Sequence, residues 1–244
     1  MNIKEKLRDK TRDDLSKNLN LLNIKTNLAE RGKLEEDIGK PTLSKGLGII
    51  NINDTPIKWI NIRRRPRGRN NFTYMIDYVI PDLNMKSKFE KIFSEYGNIY
   101  IRSKKRKSFP IFGKPLDLRW QVKTSTNPIK SKLDSTIKSD KFNYRIGFIS
   151  RIFNDNSIKK TIMDTQDIEI RSYNEHNCWL IRIHADRNVE LWKIFFNKIF
   201  KFKLKIVTRP SKEQWLCYQK IANEIISDNA PFFTQKNPVD LSSE

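Results

Sequence analysis

The run Phe72-Thr-Tyr-Met-Ile-Asp-Tyr-Val-Ile80 sets the first limit on what this chain folds into. Its β-branched and aromatic residues fit a pleated, half-buried surface, and Pro81 ends it because proline cannot donate to a ladder. A helix is expected next, capped by Asn84 and running to about Tyr96. Met85, Phe89, Ile92 and Phe93 then fall on one face at helical spacing, and Gly97 is the stop. Ile99-Tyr100-Ile101 reads as a second strand, and the chain re-enters a strand at Leu118–Val122. Between them stands the basic run Arg102-Ser-Lys-Lys-Arg-Lys107, followed by Pro110 and Pro115, which remove ladder donors. Residues 102–118 are therefore expected to form the tip of a long basic β-hairpin that projects from the core, carrying Phe109 and Phe112.

Further along, Phe142–Ile149 reads as a strand, and so does Cys178–His184. The polar stretch 150–177 between them is expected to be an insertion, with an edge hairpin around Asp167–Arg171. Asp186 or Asn188 caps an expected helix Val189–Phe200. Phe202–Val207 alternates with period two, as a half-buried strand does. A last amphipathic helix is expected at about Lys212–Ile226. The order strand, helix, strand, long hairpin, strand, strand, helix, strand predicts an α+β fold. Its expected form is a ferredoxin-like split βαβ sandwich, an antiparallel sheet covered by two helices, with the basic hairpin and terminal extensions added.

Three regions follow from this reading. Residues 1–56 form an N-terminal extension: a frayed amphipathic helix within 3–27 through Leu7, Leu15, Leu19 and Leu22, then Gly- and Pro-punctuated chain without sheet-like alternation before Ile57. Residues 57–209 form the core. Residues 210–244 hold the C-terminal helix and tail.

Charge narrows the function. Forty-eight Lys and Arg against 28 Asp and Glu leave a net charge of +20, which repels itself until a polyanion neutralises it. Nucleic acid is the expected partner. No run approaches the ~18 apolar residues of a membrane span, so no membrane is expected. Five arginines crowd into Arg63-Arg-Arg-Pro-Arg-Gly-Arg69, where Pro66 and Gly68 forbid helix. An extended arginine-rich arm suits phosphate, because guanidinium forks match phosphate oxygens in two-bond geometry. The residues expected to bind RNA are Arg63, Arg64, Arg65, Arg67 and Arg69 of the arm; Arg102, Lys104, Lys105, Arg106, Lys107, Phe112, Lys114 and Arg119 of the hairpin; and Lys130 and Lys132 beyond it.

A catalytic set is not expected. His176 and His184 stand near Glu175 and Asp186, but His184 lies on an alternating strand, where a structural histidine is the ordinary case. Asp167 and Glu169, two apart, would share one face of a strand, and surface alternation accounts for them. There is no Gly-rich phosphate loop or nucleophile elbow, and Cys178 and Cys217 cannot make a four-cysteine zinc site. The chain is thus read as not an enzyme, with no cofactor, no metal and no small-molecule substrate. Abundant Lys, Asn, Ile and Phe fit an AT-rich genome: an organelle, a virus or a biased microbe. The acidic residues Glu5, Asp9, Asp13 and Asp14 do not fit an imported transit peptide, so an organellar protein of this kind would be made inside the organelle.

Segments 72–132 and 178–209 resemble the small-subunit ribosomal protein S-ten family, in a divergent mitochondrial form. Pro110-Ile111 and Lys114-Pro115-Leu116 stand where that family has its Pro-rich hairpin tip. Trp120-Gln121-Val122 stands in the return strand, and Ser125-Thr-Asn-Pro128 with Lys130 and Lys132 replaces a Ser-Pro-His segment whose histidine is absent here. The resemblance implies a structural constituent of the mitochondrial ribosome's small subunit, in its head, binding ribosomal RNA and neighbouring small-subunit proteins through the hairpin. It leaves 141–149 and 178–184 as alternatives for the third core strand. A viral nucleic-acid- or membrane-associated structural protein, of matrix or coat type, is the alternative reading of the same charge. A small nuclease built on Asp167 and Glu169 is a third.

Overall fold

Alternation decides which side of each strand is covered. The computed structural model describes residues 3–28, 49–66, 72–107, 115–125, 147–184 and 210–228. Its strands are β1 (Thr26–Leu28), β2 (Ile49–Ile52), β3 (Trp59–Pro66), β4 (Phe72–Pro81), β5 (Ile99–Lys107), β6 (Pro115–Thr124), β7 (Ile168–Tyr173) and β8 (Cys178–His184). They join in one eight-stranded sheet of order β1-β2-β3-β4-β8-β7-β5-β6, every neighbouring pair antiparallel. The helices are α1 (Ile3–Leu21), α2 (Met85–Lys88), α3 (Glu90–Tyr96), α4 (Gly147–Asn154), α5 (Asn156–Asp164) and α6 (Lys212–Ser227). The fold is α+β.

Every second residue of the long strands feeds one core. Ile60 and Ile62, Ile76, Tyr78 and Ile80, Ile99 and Ile101, Ile168 and Ile170, and Trp179, Ile181 and Ile183 are buried together. Met85, Phe89 and Ile92 of α2–α3, Phe148 and Ile152 of α4, Ile158 and Ile162 of α5, and Trp215, Tyr218 and Ile221 of α6 close over them. Rings make the tightest joints. Trp179 meets Phe89 and Phe148 edge-on at 5.7 and 5.1 Å, Tyr78 lies 4.8 Å from Tyr218, and Trp120 stacks on Phe153 at 4.8 Å. Each isoleucine buried here is worth roughly 1.5–3 kcal/mol over its exposed state. A slip of one residue in any strand would carry its whole set to the other face, so this pattern fixes the register.

Several expectations are corrected by this arrangement. Residues 147–149 are not strand but the first turn of α4; Phe148, Ile149, Ile152 and Phe153 are its buried side. The Phe148 amide donates to the Asp228 carboxylate at 3.2 Å, so the end of α6 caps the start of α4. The central strand is β8, residues 178–184, which pairs with both β4 and β7. Residues 150–177 hold α5 and β7 rather than a poorly patterned insertion, and β7 is an interior strand, not an edge. Asp155 caps α5 by accepting from the Ser157 and Ile158 amides. The β7–β8 hairpin turns through Asn174–His176 and Asn177, whose φ of 49° is left-handed, a conformation asparagine tolerates.

The N-terminal region also differs from an extension. β2 pairs with β3, β1 pairs with β2, and Leu15 and Leu19 of α1 belong to the core. The Asn18 side chain donates from Nδ2 to the Pro210 carbonyl at 2.9 Å, tying α1 to the entry of α6. That helix starts with a capping box: Ser211 Oγ accepts from the Gln214 amide and Gln214 Oε1 from the Ser211 amide. The helix expected over 84–96 is two short ones, because Phe89 leaves helical φ at −120°. Asn84 makes no side-chain cap; instead Asp82 accepts from the Asn84 amide. Gly97 does end α3, at φ 64° and ψ −146°, where a β-carbon would be strained. Finally, a split βαβ would place one strand between β4 and β5, whereas β8 and β7 both stand there. The expected helix 189–200 and strand 202–207 lie outside the described residues, as do residues 141–146.

Candidate nucleic-acid interface

Because one sheet face carries the core, the other carries the even-numbered residues of β5 and their partners. Ile99, Ile101 and Ser103 are buried, while Arg102, Lys104 and Arg106 are exposed. Their partners across on β6 are Gln121, Arg119 and Asp117, and Tyr100 stands opposite Lys123. On the other side of β5, Tyr100 faces Arg171 and Arg102 faces Glu169. We call this the outer face.

Charge on the outer face changes character across the sheet. Asp77, Arg182, Glu169, Arg102 and Gln121 are consecutive cross-strand partners from β4 to β6. Side-chain exposure along that row is 0% for Asp77, 3% for Arg182, 12% for Glu169 and 58% for Arg102. At the closed end Arg182 Nε donates to Asp77 Oδ1 at 2.6 Å and Nη2 to Oδ2 at 2.9 Å, a two-bond fork. Val79, Cys178 and Leu180 are buried beside it, with Trp59 and Tyr173 packed against them. Burial and the nearby Asp77 carboxylate push the Cys178 thiol up to about 12, and burial does the same for Cys217, so both stay uncharged at neutral pH.

At the open end cations outnumber acids. Arg102 reaches Glu169 at 3.8 Å, with only the arginine exposed, and Arg119 reaches Asp117 at 3.8 Å, a loose and solvent-exposed pair of little strength. Arg171 holds Glu169 more closely and sets its guanidinium carbon 5.3 Å from the centre of the Tyr100 ring. Burial pulls the Arg171 pKa down, but the Glu169 charge more than reverses this, so the net direction is upward. Lys104, Arg106 and Lys123 make no ion pair with a described residue. Lys104 stands directly opposite Arg119, an arrangement of like charges that costs up to about 1 kcal/mol in a bare sheet.

The far side of β5 is structural. Ser103 Oγ accepts from the Ile168 amide at 2.8 Å, and Asp167 Oδ1 accepts from the Lys105 amide at 3.2 Å. Lys105 Nζ donates to the Thr165 carbonyl at 2.9 Å. These bonds continue the β5–β7 seam past its last ladder pair. β5 and β6 then run on as a two-stranded ribbon with a register shift between Arg106 and Lys107.

The expected long basic hairpin is present as the antiparallel β5–β6 pair; what changes is its tip, since 102–107 and 115–118 are paired arms of the hairpin. Of the expected RNA contacts, Arg102, Lys104, Arg106 and Arg119 come together on the exposed outer face. Lys105 turns the other way and is engaged. Lys107 sits opposite Pro115, and Arg63, Arg64 and Arg65 lie on β3 opposite Met75, Tyr74 and Thr73. Arg67, Arg69, Phe112, Lys114, Lys130 and Lys132 lie outside the described residues. Tyr100, Lys123 and Arg171 join the outer face without having been singled out by the sequence; strict alternation through 99–107 and 115–124 would have found the first two. Asp167 and Glu169 are taken up by backbone and arginine partners, and His176 forms part of the β7–β8 turn. Among the described residues, His, Cys, Asp and Glu form no cluster able to hold a metal ion, and no helix is long and apolar enough to cross a membrane.

Comparison of the chain with family models, with curated proteins and with solved structures gave no match.

Proposed function

We propose that this protein is a non-enzymatic RNA-binding component of a mitochondrial small ribosomal subunit, encoded and made in the organelle. The reading is carried by the β5–β6 outer face, where Arg102, Lys104, Arg106, Arg119 and Lys123 are exposed with few acids to balance them. A net charge of +20 gives the same face a polyanion to seek. Resemblance to the S-ten family supplies the site in the subunit head, ribosomal RNA as the ligand and neighbouring small-subunit proteins as further partners. The proposal keeps the α+β class and drops the ferredoxin-like split βαβ form, since two strands separate β4 from β5.

The experiment is sedimentation of organelle lysate through sucrose, with the protein followed by antibody. It is expected to travel with the small subunit and to leave it as salt is raised. Migration as a self-assembled particle would overturn the reading in favour of a coat or matrix protein; migration as free protein at low salt would overturn it outright. With purified protein, Ser at Lys104, Arg106 and Arg119 together should reduce the log–log salt slope of RNA binding by about 0.7–0.9 for each phosphate that the variant no longer neutralises.

A further inference from the structure

We propose that the outer face of β5 and β6 is a track for single-stranded RNA, with Tyr100 stacking a base and Arg102, Lys104, Arg106 and Arg119 holding successive phosphates. This rests on the RNA-binding reading above and specifies which form of RNA the site takes.

Three observations carry it. First, the track has a regular step. Arg102, Lys104 and Arg106 are alternate residues of one strand, so they repeat at about 6.6–6.8 Å. A stacked nucleic-acid strand advances about 3.4 Å per phosphate. A strand with its bases splayed out advances roughly twice that and keeps step with the cations. Second, the track carries an aromatic at one end. Tyr100 is half-buried on the outer face, next along β5 from Arg102, with Arg171 against its ring and Lys123 opposite. Single-stranded binders combine a cationic groove with rings or guanidinium planes on which bases stack; here the two lie side by side. Third, Lys104 opposite Arg119 is unfavourable until an anion sits between them. A solvated surface would account for the charge but not for a like-charged pair on the same face as a half-buried ring. A duplex would offer phosphates but no free base for Tyr100.

The test measures fluorescence anisotropy of the full chain with a labelled oligouridylate and with a blunt RNA duplex of equal length. Tyr100→Leu should weaken oligouridylate binding about 5- to 150-fold and leave duplex binding unchanged, while Tyr100→Phe should restore it. Photocrosslinking of 4-thiouridine RNA should label the peptide containing Tyr100. Tyr100 is half-buried and outside the core cluster, so the Leu variant should keep the wild-type thermal transition, and the Phe variant preserves the ring should Leu fail to fold. Oligouridylate binding that is unchanged by Tyr100→Leu, with no crosslink to the Tyr100 peptide, while Lys104→Ser, Arg106→Ser and Arg119→Ser together abolish it, would overturn the stacking track and leave the RNA reading standing. Equal affinity for duplex and single strand would also overturn the track. Failure of every RNA to bind, with an acidic polypeptide binding instead, would overturn both.

Discussion

The two ends of the outer face handle charge in opposite ways. Near β4 and β8, Asp77 and Arg182 are locked in a dry two-bond pair and neither reaches solvent. Near β5 and β6, Arg102 and Arg119 keep more than half of their side-chain surface in water and hold their acids at 3.8 Å. The first end satisfies its ions inside the protein, so removing either partner strands a buried charge. The second leaves cations available, so removing one costs the fold little and costs a ligand much. A protein surface that is meant merely to be soluble has no need of this division.

Removing one member of the closed pair gives the largest expected effect. Asp77→Ala should lower the unfolding free energy by about 3–5 kcal/mol, because Arg182 is left buried and uncompensated. Urea denaturation followed by tryptophan fluorescence measures it. The double change Asp77→Leu with Arg182→Met should recover most of that loss, since an apolar pair of similar size removes the stranded charge. A small effect of the single change would mean that the closed end is as wet as the open one.

A smaller effect is expected at Asp155, which lies in neither end but caps α5. Burial raises its pKa, but the Lys220 ion pair and the bonds from Ser157 and Ile158 outweigh this and hold the carboxyl well below the ordinary carboxylate range. A depressed carboxylate stabilises the fold fully above its unfolded pKa, about 4. That contribution is lost as pH falls from there through the lower folded value. Asp155→Ala should therefore cost about 0.5–2 kcal/mol at pH 7 and should lose its effect progressively as the pH is taken below about 4. Thermal melts of both proteins across that range would check the sign.

The smallest effect, and one of opposite sign, is expected from Lys104→Ser. Relieving the repulsion with Arg119 should raise stability by up to about 1 kcal/mol in low salt, and the gain should shrink as salt screens the pair. A clear loss of stability would mean that Lys104 has a structural partner, and the contrast between the two ends would fail.

How much of this could be read beforehand depends on where each element's reasons lie. β4, β8 and α6 carry their reasons in their own residues: a β-branched run, or apolar residues at helical spacing behind Ser211 and Gln214. α4 does not. Phe148 and Ile149 suit a strand equally well, and the helix is settled by Asp228, eighty positions away, accepting from its first turn. β7 looked like surface because Glu169 and Arg171 alternate with Ile168 and Ile170. Its charges instead pair with one another and with Arg102 on the outer face. β2 is four residues long, too short to show its period against a polar background. At the site, the basic character of 102–107 was plain. What composition alone hid was the split within it, where Lys105 serves the α5–β7 turn while its neighbours on either side face outward.

The pairing of β4 with β8 has a bearing on how the chain is made. Asp77 and Arg182 are separated by 105 positions, so at 5–20 residues per second β4 emerges roughly 5–20 s before its central neighbour exists. During that wait Ile76, Tyr78 and Ile80 stand on a strand with one edge bare, the kind of surface that recruits stray strands. Whatever shelters β4 during synthesis, a chaperone or an early grip on polyanion by the arginines already emerged at 63–69, has to hold until the last third of the polypeptide arrives.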